Sequence, residues 1–182
     1  MTAHLTEHTL ASEEVFEGVF FRIIRDKVRL PNGIEAAREY IKHPGAVAIV
    51  AITDSGHIVM EHQYRHPVQK VFLEIPAGKI DPNETPQACA ERELLEETGY
   101  TASHWQHLGM IHPCIGYADE HIQIFLARGL TKTERRLDHG EFLDVVELPF
   151  DGVLASVTQG AITDGKTISA LFFAERAIRQ GF

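Results

Sequence analysis

Strands and helices that follow one another without strict alternation predict an α/β (α+β) fold with a mixed β-sheet. Three stretches support this. Ala46–Ile52 is an unbroken apolar run with the length of a strand buried on both faces. Gly78–Tyr100 reads as the loop and helix of a strand–loop–helix unit, with a short strand just before it. The chain closes on two helical patterns, residues 150–158 and 167–179.

Taken in order, residues 1–12 carry little pattern and read as a loose end. Residues 15–30 mix β-branched, aromatic and charged residues and read as strand. Pro31-Asn32-Gly33 is a turn signal, and residues 34–42 return as a second arm, although Ala36-Ala37-Arg38-Glu39 could equally open a helix. His43-Pro44-Gly45 breaks the chain. The predicted division is therefore residues 1–44 as an antiparallel β extension and residues 45–182 as the main domain. After Ala46–Ile52 comes a turn at Asp54-Ser55-Gly56, a strand HIVMEHQYR and a short strand Val71–Ile75 that ends in a bend at Pro76-Ala77-Gly78. Thr85 is placed to cap a helix, Pro86 suits its first position, and Gly99 suits its end after Thr98. Strands are expected over residues 105–112, 122–127 and 142–148, with a loop at 114–120 and a charged connection at 131–141. In the last helix Ile168, Leu171, Ala174 and Ile178 form one apolar stripe, flanked by Phe172 and edged by Glu175.

Composition narrows the function classes. Lys and Arg total 17 against 26 Asp and Glu, a net charge of 17 − 26 = −9, which argues against broad nucleic-acid binding. A small anionic substrate stays open, because a metal ion can supply positive charge locally. The two cysteines, Cys89 and Cys114, are too few for a disulfide framework and read as free thiols. The N-terminus lacks a signal-peptide pattern, and Ala46–Ile52 is far too short to span a bilayer. The expectation is a soluble cytoplasmic protein that binds neither nucleic acid nor membrane.

The chemistry concentrates in GKIDPNETPQACAERELLEETGY, residues 78–100. Glu91, Glu93, Glu96, Glu97 and Arg92 fall within seven residues. On a helix Glu93, Glu96 and Glu97 share a face. Carboxylates about 6 Å apart repel by roughly 0.7 kcal/mol in water and about 3 kcal/mol at an effective dielectric of 20. Such a face suits a hard divalent cation, which takes a few carboxylates along with water and substrate phosphates. It equally suits a solvated acidic surface.

The spacing carries further. Gly78, five residues, Glu84, seven residues, Arg92-Glu93-Leu94, one residue, Glu96-Glu97, one residue, Gly99-Tyr100 resembles the Nudix box, with Tyr100 where the pattern usually has an aliphatic residue. Arg38-Glu39, HPGAVAIV, HQYR at 62–65, LEIPAG at 73–78 and HPCIGYADE at 112–120 resemble the ADP-ribose pyrophosphatase branch of that family. The resemblance implies a Nudix-type α/β/α sandwich. It implies a hydrolase dependent on Mg²⁺, with Mn²⁺ as the alternative ion, that cleaves ADP-ribose to AMP and ribose 5-phosphate. Rival readings are hydrolysis of another nucleotide sugar, such as GDP-mannose or a UDP-sugar, and a non-catalytic nucleotide-sugar sensor.

It also implies roles. Glu93 and Glu97, with Glu96 close by and the Ala77 carbonyl, would hold metal. Arg92 would orient a carboxylate, the alternative being a plain ion pair with Glu96. Glu84 would bond backbone around the loop. Glu141 is the candidate general base and Asp138 its alternative. Both could also be solvated loop charges. Arg38, Arg65, Glu74, Pro113, Gly116 and Glu120 match positions that bind substrate in relatives, with Arg38 reaching a partner subunit's pocket, so a homodimer is expected. Phe20 or Phe21 could stack on a base, against ordinary burial. His4/His8 and His62/His66 have a spacing that suits zinc only on a helix, which neither pair is predicted to occupy.

Overall fold

The computed structural model describes residues 2–19, 21–137 and 139–181. These form two compact units, Met1–Pro44 with Cys114–His121, and Gly45–Pro113 with Ile122–Phe182.

The first unit is an antiparallel meander of β1 (His8–Glu17), β2 (Arg22–Arg29) and β3 (Glu35–Lys42). The predicted loose end is thus strand from His8 onward. Its order comes from the ladder with β2, a pairing that local composition does not announce. The strand expected over 15–30 is broken between β1 and β2, where the Gly18 N–H donates to the Phe21 carbonyl at 2.8 Å. The residues that could have begun a helix lie in β3, paired along their length with β2. At the second turn the Asn32 side chain accepts from the Ile34 N–H at 3.1 Å, as an Asx-type turn residue does. Val28 is the one buried apolar side chain among this unit's described residues, and β1 is exposed throughout. Segment 114–121 joins β3 through Ile41 N–H to the Tyr117 carbonyl at 2.9 Å and His43 N–H to Asp119 at 2.8 Å.

The second unit contains β4 (Ala46–Ala51), β5 (His57–Arg65), β6 (Lys70–Glu74), β7 (Ala77–Lys79), α1 (Pro86–Glu93), β8 (Tyr100–Ile111), β9 (Ile122–Lys132), β10 (Leu143–Pro149), α2 (Phe150–Thr158) and α3 (Gly165–Arg179). One sheet has the order β7-β4-β9-β8 and is mixed, since β4 and β9 run parallel while the other pairs are antiparallel. The second is antiparallel, β10-β5-β6. Strand alternation sorts β4 between two cores. Val47, Ile49 and Ala51 pack with Cys89, Ala90 and Leu94 of the α1 region. Ala46, Ala48 and Val50 pack with Ala170, Leu171 and Ala174 of α3. The mixed sheet therefore lies between helices, as the α/β/α reading expects.

Several boundaries differ from expectation. The bend at 76–78 is largely β7, paired with β4. Strand β8 begins at Tyr100 rather than 105, and β9 runs on to Lys132, which shortens the charged connection. The stripe buried on α3 is Thr167, Ala170, Leu171, Ala174 and Ala177, with Ile168 and Ile178 at its partly buried edge. The helix expected to reach Thr98 is α-helical only to Glu93, and Leu94–Thr98 is a π turn. Its ends are as expected: Thr85 accepts from the Ala88 N–H, and Gly99 sits at φ 71°, the left-handed geometry that glycine adopts without a Cβ penalty. Among the described residues no helix is long and apolar enough to cross a membrane.

Candidate active site

The pairing of β7 with β4 sets the backbone on which the acidic stretch closes. Gly78 faces Glu93 so closely that a Cβ built on it would lie 1.9 Å from the Glu93 carboxyl carbon. A side chain at position 78 would have to push the flexible end of Glu93 aside, so glycine serves there for space rather than for dihedral freedom. The loop into α1 is held by Glu84, which accepts the Asp81 N–H at 3.1 Å. Arg92 reaches back with a bidentate fork, its Nε and Nη2 each 2.9 Å from a Glu84 oxygen. The same guanidinium donates to Glu93 at 2.8 Å, to Glu96 at 3.0 Å and to the Lys79 carbonyl at 3.2 Å. With a contact to the Cys89 sulfur at 3.4 Å, the Arg92–Glu96 pair read from the i,i+4 spacing is one of six bonds this guanidinium makes among the described residues. Hydrogen bonding from Arg92 pulls the Glu84 carboxyl down to about 2.

The three glutamates expected on one face divide. Glu93 and Glu96 turn to Arg92, whereas Glu97 is 3% exposed and accepts the Ala77 N–H at 3.0 Å. A π turn re-aims side chains within a helix, and such turns are frequent at functional sites. Burial pushes Glu93 up to about 7 against the pull of Arg92. Burial, and then the charges of Glu61 and Glu93, push Glu97 up.

Glu61 of β5 was not anticipated. It is 0% exposed, and neither carboxylate oxygen has a hydrogen-bond partner among the described residues. Burial and then the charge of Glu74 push it up. The charge of Glu141 is felt at Glu61, Glu93 and Glu97, which brings the loop residue chosen as base into the electrostatic neighbourhood of the acidic set. Asp138 lies outside the described residues. The available signal for Glu61 was alternation: Ile58 and Met60 point to the α3 core and Val59 to the α1 core, so Glu61 falls on the side of α1.

This donor set suits a hard divalent cation. It offers oxygen only, contains a buried carboxylate with no donor among the described residues, and keeps a glycine where any side chain would displace Glu93. Among the described residues no three acidic, imidazole or thiol groups form a ready-made cage. Magnesium characteristically binds one or two carboxylates and takes its remaining ligands from water and phosphate.

Arg65 and Glu74 come together: Nε and Nη2 of Arg65 donate to the two Glu74 oxygens at 2.9 and 2.8 Å. Lys166, also missed from sequence, donates to Glu74 and to Asp164. Asp164 caps α3 by accepting the Thr167 N–H at 3.1 Å, and the Thr167 hydroxyl accepts the Ile75 N–H at 3.1 Å. The helix start thereby fixes the end of β6. Pro113 lines a cleft with Met110, Ile111, His112, Gly165 and Ser169.

The remaining candidates belong to the other unit. Arg38 is exposed and pairs with Glu7 at 2.6 Å. Gly116 faces open space, and Glu120 lies 3.9 Å from the His43 ring. Phe21 is exposed, contrary to the burial reading, and Phe20 lies outside the described residues.

Two family models cover most of the chain: the NUDIX domain over residues 42–171 and the nucleoside diphosphate sugar hydrolase N-terminal domain over residues 7–41. A methanol dehydrogenase activator of Bacillus methanolicus is 42% identical over 93% of this chain and 92% of its own. An ADP-ribose pyrophosphatase of Bacillus subtilis (strain 168) is 41% identical over 94% of each chain. A solved structure of an ADP compounds hydrolase superposes with a TM-score of 0.87 at 25% identity, covering 97% of this chain and 96% of that one. Tyr100, the departure from the usual box, fits this assignment as a packing residue: it is 8% exposed and its hydroxyl donates to Glu147. With the box folded around Gly78 and Arg92 and a family model spanning most of its length, the chain belongs to the Nudix family.

Proposed function

We propose that this chain is a diphosphohydrolase that cleaves ADP-ribose to AMP and ribose 5-phosphate with Mg²⁺, or alternatively Mn²⁺, as its ion. The observation that carries the reading is the 41% identity, over 94% of both chains, to an ADP-ribose pyrophosphatase, in a chain that keeps every box carboxylate.

Glu93, Glu96, Glu97 and the Ala77 carbonyl would hold the ion. A bound divalent cation neutralises diphosphate oxygens and lowers the pKa of an attacking water. Arg92 holds Glu93 and Glu96 in place while staying clear of the substrate. Glu74 fixes Arg65 through Nε and Nη2, leaving Nη1 to donate to a phosphate oxygen. Glu141 takes the proton from the water that attacks one phosphorus, and the departing phosphate keeps the bond pair. Arg38, Pro113, Gly116 and Glu120 serve the remainder of the substrate. The protein works as a homodimer, with residues 1–44 as the dimerising extension. The fully exposed β1, with Leu10, Val15 and Phe16 in the open, supports that assignment. The compartment is the cytoplasm, in keeping with two free cysteines.

A panel of ADP-ribose, GDP-mannose and UDP-sugars at millimolar Mg²⁺, with product analysis, tests the claim. AMP and ribose 5-phosphate are expected, and no turnover of ADP-ribose sinks it. Glu97→Gln should lower kcat about 10³-fold or more with the fold intact, since several kcal/mol of charge stabilisation are removed. The 42% identity to a methanol dehydrogenase activator favours a second reading, action on a dehydrogenase partner. Adding the chain to a methanol dehydrogenase and following alcohol oxidation separates the two.

A further inference from the structure

We propose that Glu61, which lies outside the 78–100 motif, is a further ligand that holds the divalent cation together with Glu97. The inference rests on the hydrolase reading above, and it begins from an imbalance. Glu61 is wholly buried in the central strand of the β10-β5-β6 sheet, and among the described residues neither of its oxygens has a donor. A buried carboxylate in that condition is costly unless a positive partner meets it.

Among the described residues, the cations whose charge reaches Glu61, Arg65 and Lys166, give their hydrogen bonds to other acids. Arg65 spends its fork on Glu74, and Lys166 divides its ammonium between Glu74 and Asp164. Arg92 is committed to Glu84, Glu93 and Glu96. Alternation along β5 sends Glu61 to the side of Val59, which packs with the α1 region, and there its charge bears on Glu97. Glu97 is anchored by the Ala77 N–H, so its carboxylate is held in position. Two buried carboxylates, one tethered and one without a donor among the described residues, form an oxygen-only pair suited to a cation from outside the chain. Two carboxylates completed by water and phosphate match what magnesium accepts.

The test is Glu61→Gln, which keeps shape and removes charge. Mn²⁺ is titrated into the substrate-free protein while free ion is followed by electron paramagnetic resonance, and melting is recorded with and without Mn²⁺. The variant should bind Mn²⁺ about 10- to 100-fold more weakly, the scale seen when a metal site loses a supporting group. Its Tm without Mn²⁺ should equal or exceed that of the wild type, and the rise in Tm on adding Mn²⁺ should shrink. Glu97→Gln is the reference and should show the same loss of affinity.

Unchanged Mn²⁺ affinity overturns the proposal, as does a wild type that binds no Mn²⁺. If Glu61→Gln does not fold, Glu61→Met replaces it, and failure of both makes the residue structural and the proposal wrong. The two readings fail separately. A wild type that hydrolyses ADP-ribose beside a variant with normal Mn²⁺ binding sinks only the role of Glu61. A wild type inert to ADP-ribose whose Mn²⁺ binding depends on Glu61 sinks only the substrate claim.

Discussion

Glu61 and Glu74 stand directly opposite each other on β5 and β6, and both are buried, at 0% and 1% exposure. Their surroundings differ completely. Glu74 receives a bidentate arginine and a lysine, whereas Glu61 receives no donor among the described residues. The comparison separates two uses of a buried acid. One is a strut, whose charge is neutralised within the chain and whose loss would leave cations stranded. The other is held in readiness, at a cost the rest of the fold must offset.

The largest expected effect comes from removing the strut. Glu74→Ala leaves the half-exposed Arg65 without its carboxylate and the nearly buried Lys166 with Asp164 alone, and should destabilise by about 2–3 kcal/mol, below the range for breaking a fully buried pair. Urea unfolding measures it. A loss under 1 kcal/mol would erase the distinction between the two acids. A smaller effect is expected at Gly78, which shapes the unpartnered side of the site. Gly78→Ala forces Glu93 aside, and should lower ADP-ribose kcat/KM about tenfold or more while unfolding changes little; equal turnover would show that the Glu93 position does not matter.

The smallest effect concerns the Arg92 fork, a second strut at the surface. Glu84 sits at about 2 in the folded chain against an ordinary 4.5. A depressed carboxyl contributes stability that is fully present above 4.5 and is lost as pH falls toward 2. Glu84→Gln should therefore flatten the acid limb of the stability curve over that window, read by thermal melts in steps of pH. An unchanged acid limb would remove Glu84 from the struts.

Local signals carried much of this to the reader of the sequence. Thr85, Pro86 and Gly99 bracket the box helix because capping is decided within a few residues. Strand β5 and helix α2 begin and end as read, from alternation and from helical pattern. What escaped was set by distant partners. Strand β1 is ordered by β2, β7 by β4, and the early start of β8 by its ladder to Lys132 of β9. Within the candidate site the box residues were legible because their spacing is contiguous. Glu61 was not, since HIVMEHQYR reveals a glutamate's burial only once β10 and β6 flank it. Lys166 reaches Glu74 across 92 positions of sequence. Arg38, Gly116 and Glu120 were placed by likeness, and they sit in a different unit from Arg65, Glu74 and Pro113.

The π turn at Leu94–Thr98 has one consequence for anyone who would move this motif. A regular helix advances about 100° per residue, so a widened turn alters the phase of everything beyond it. Glu93 and Glu97 are four apart in sequence, yet one meets Arg92 and the other the backbone of Ala77. Grafted onto a straight helix, the same letters would keep their order and lose their aim. The length of that turn is a phase setting, and the residues to copy in a transplant include the ones that widen it.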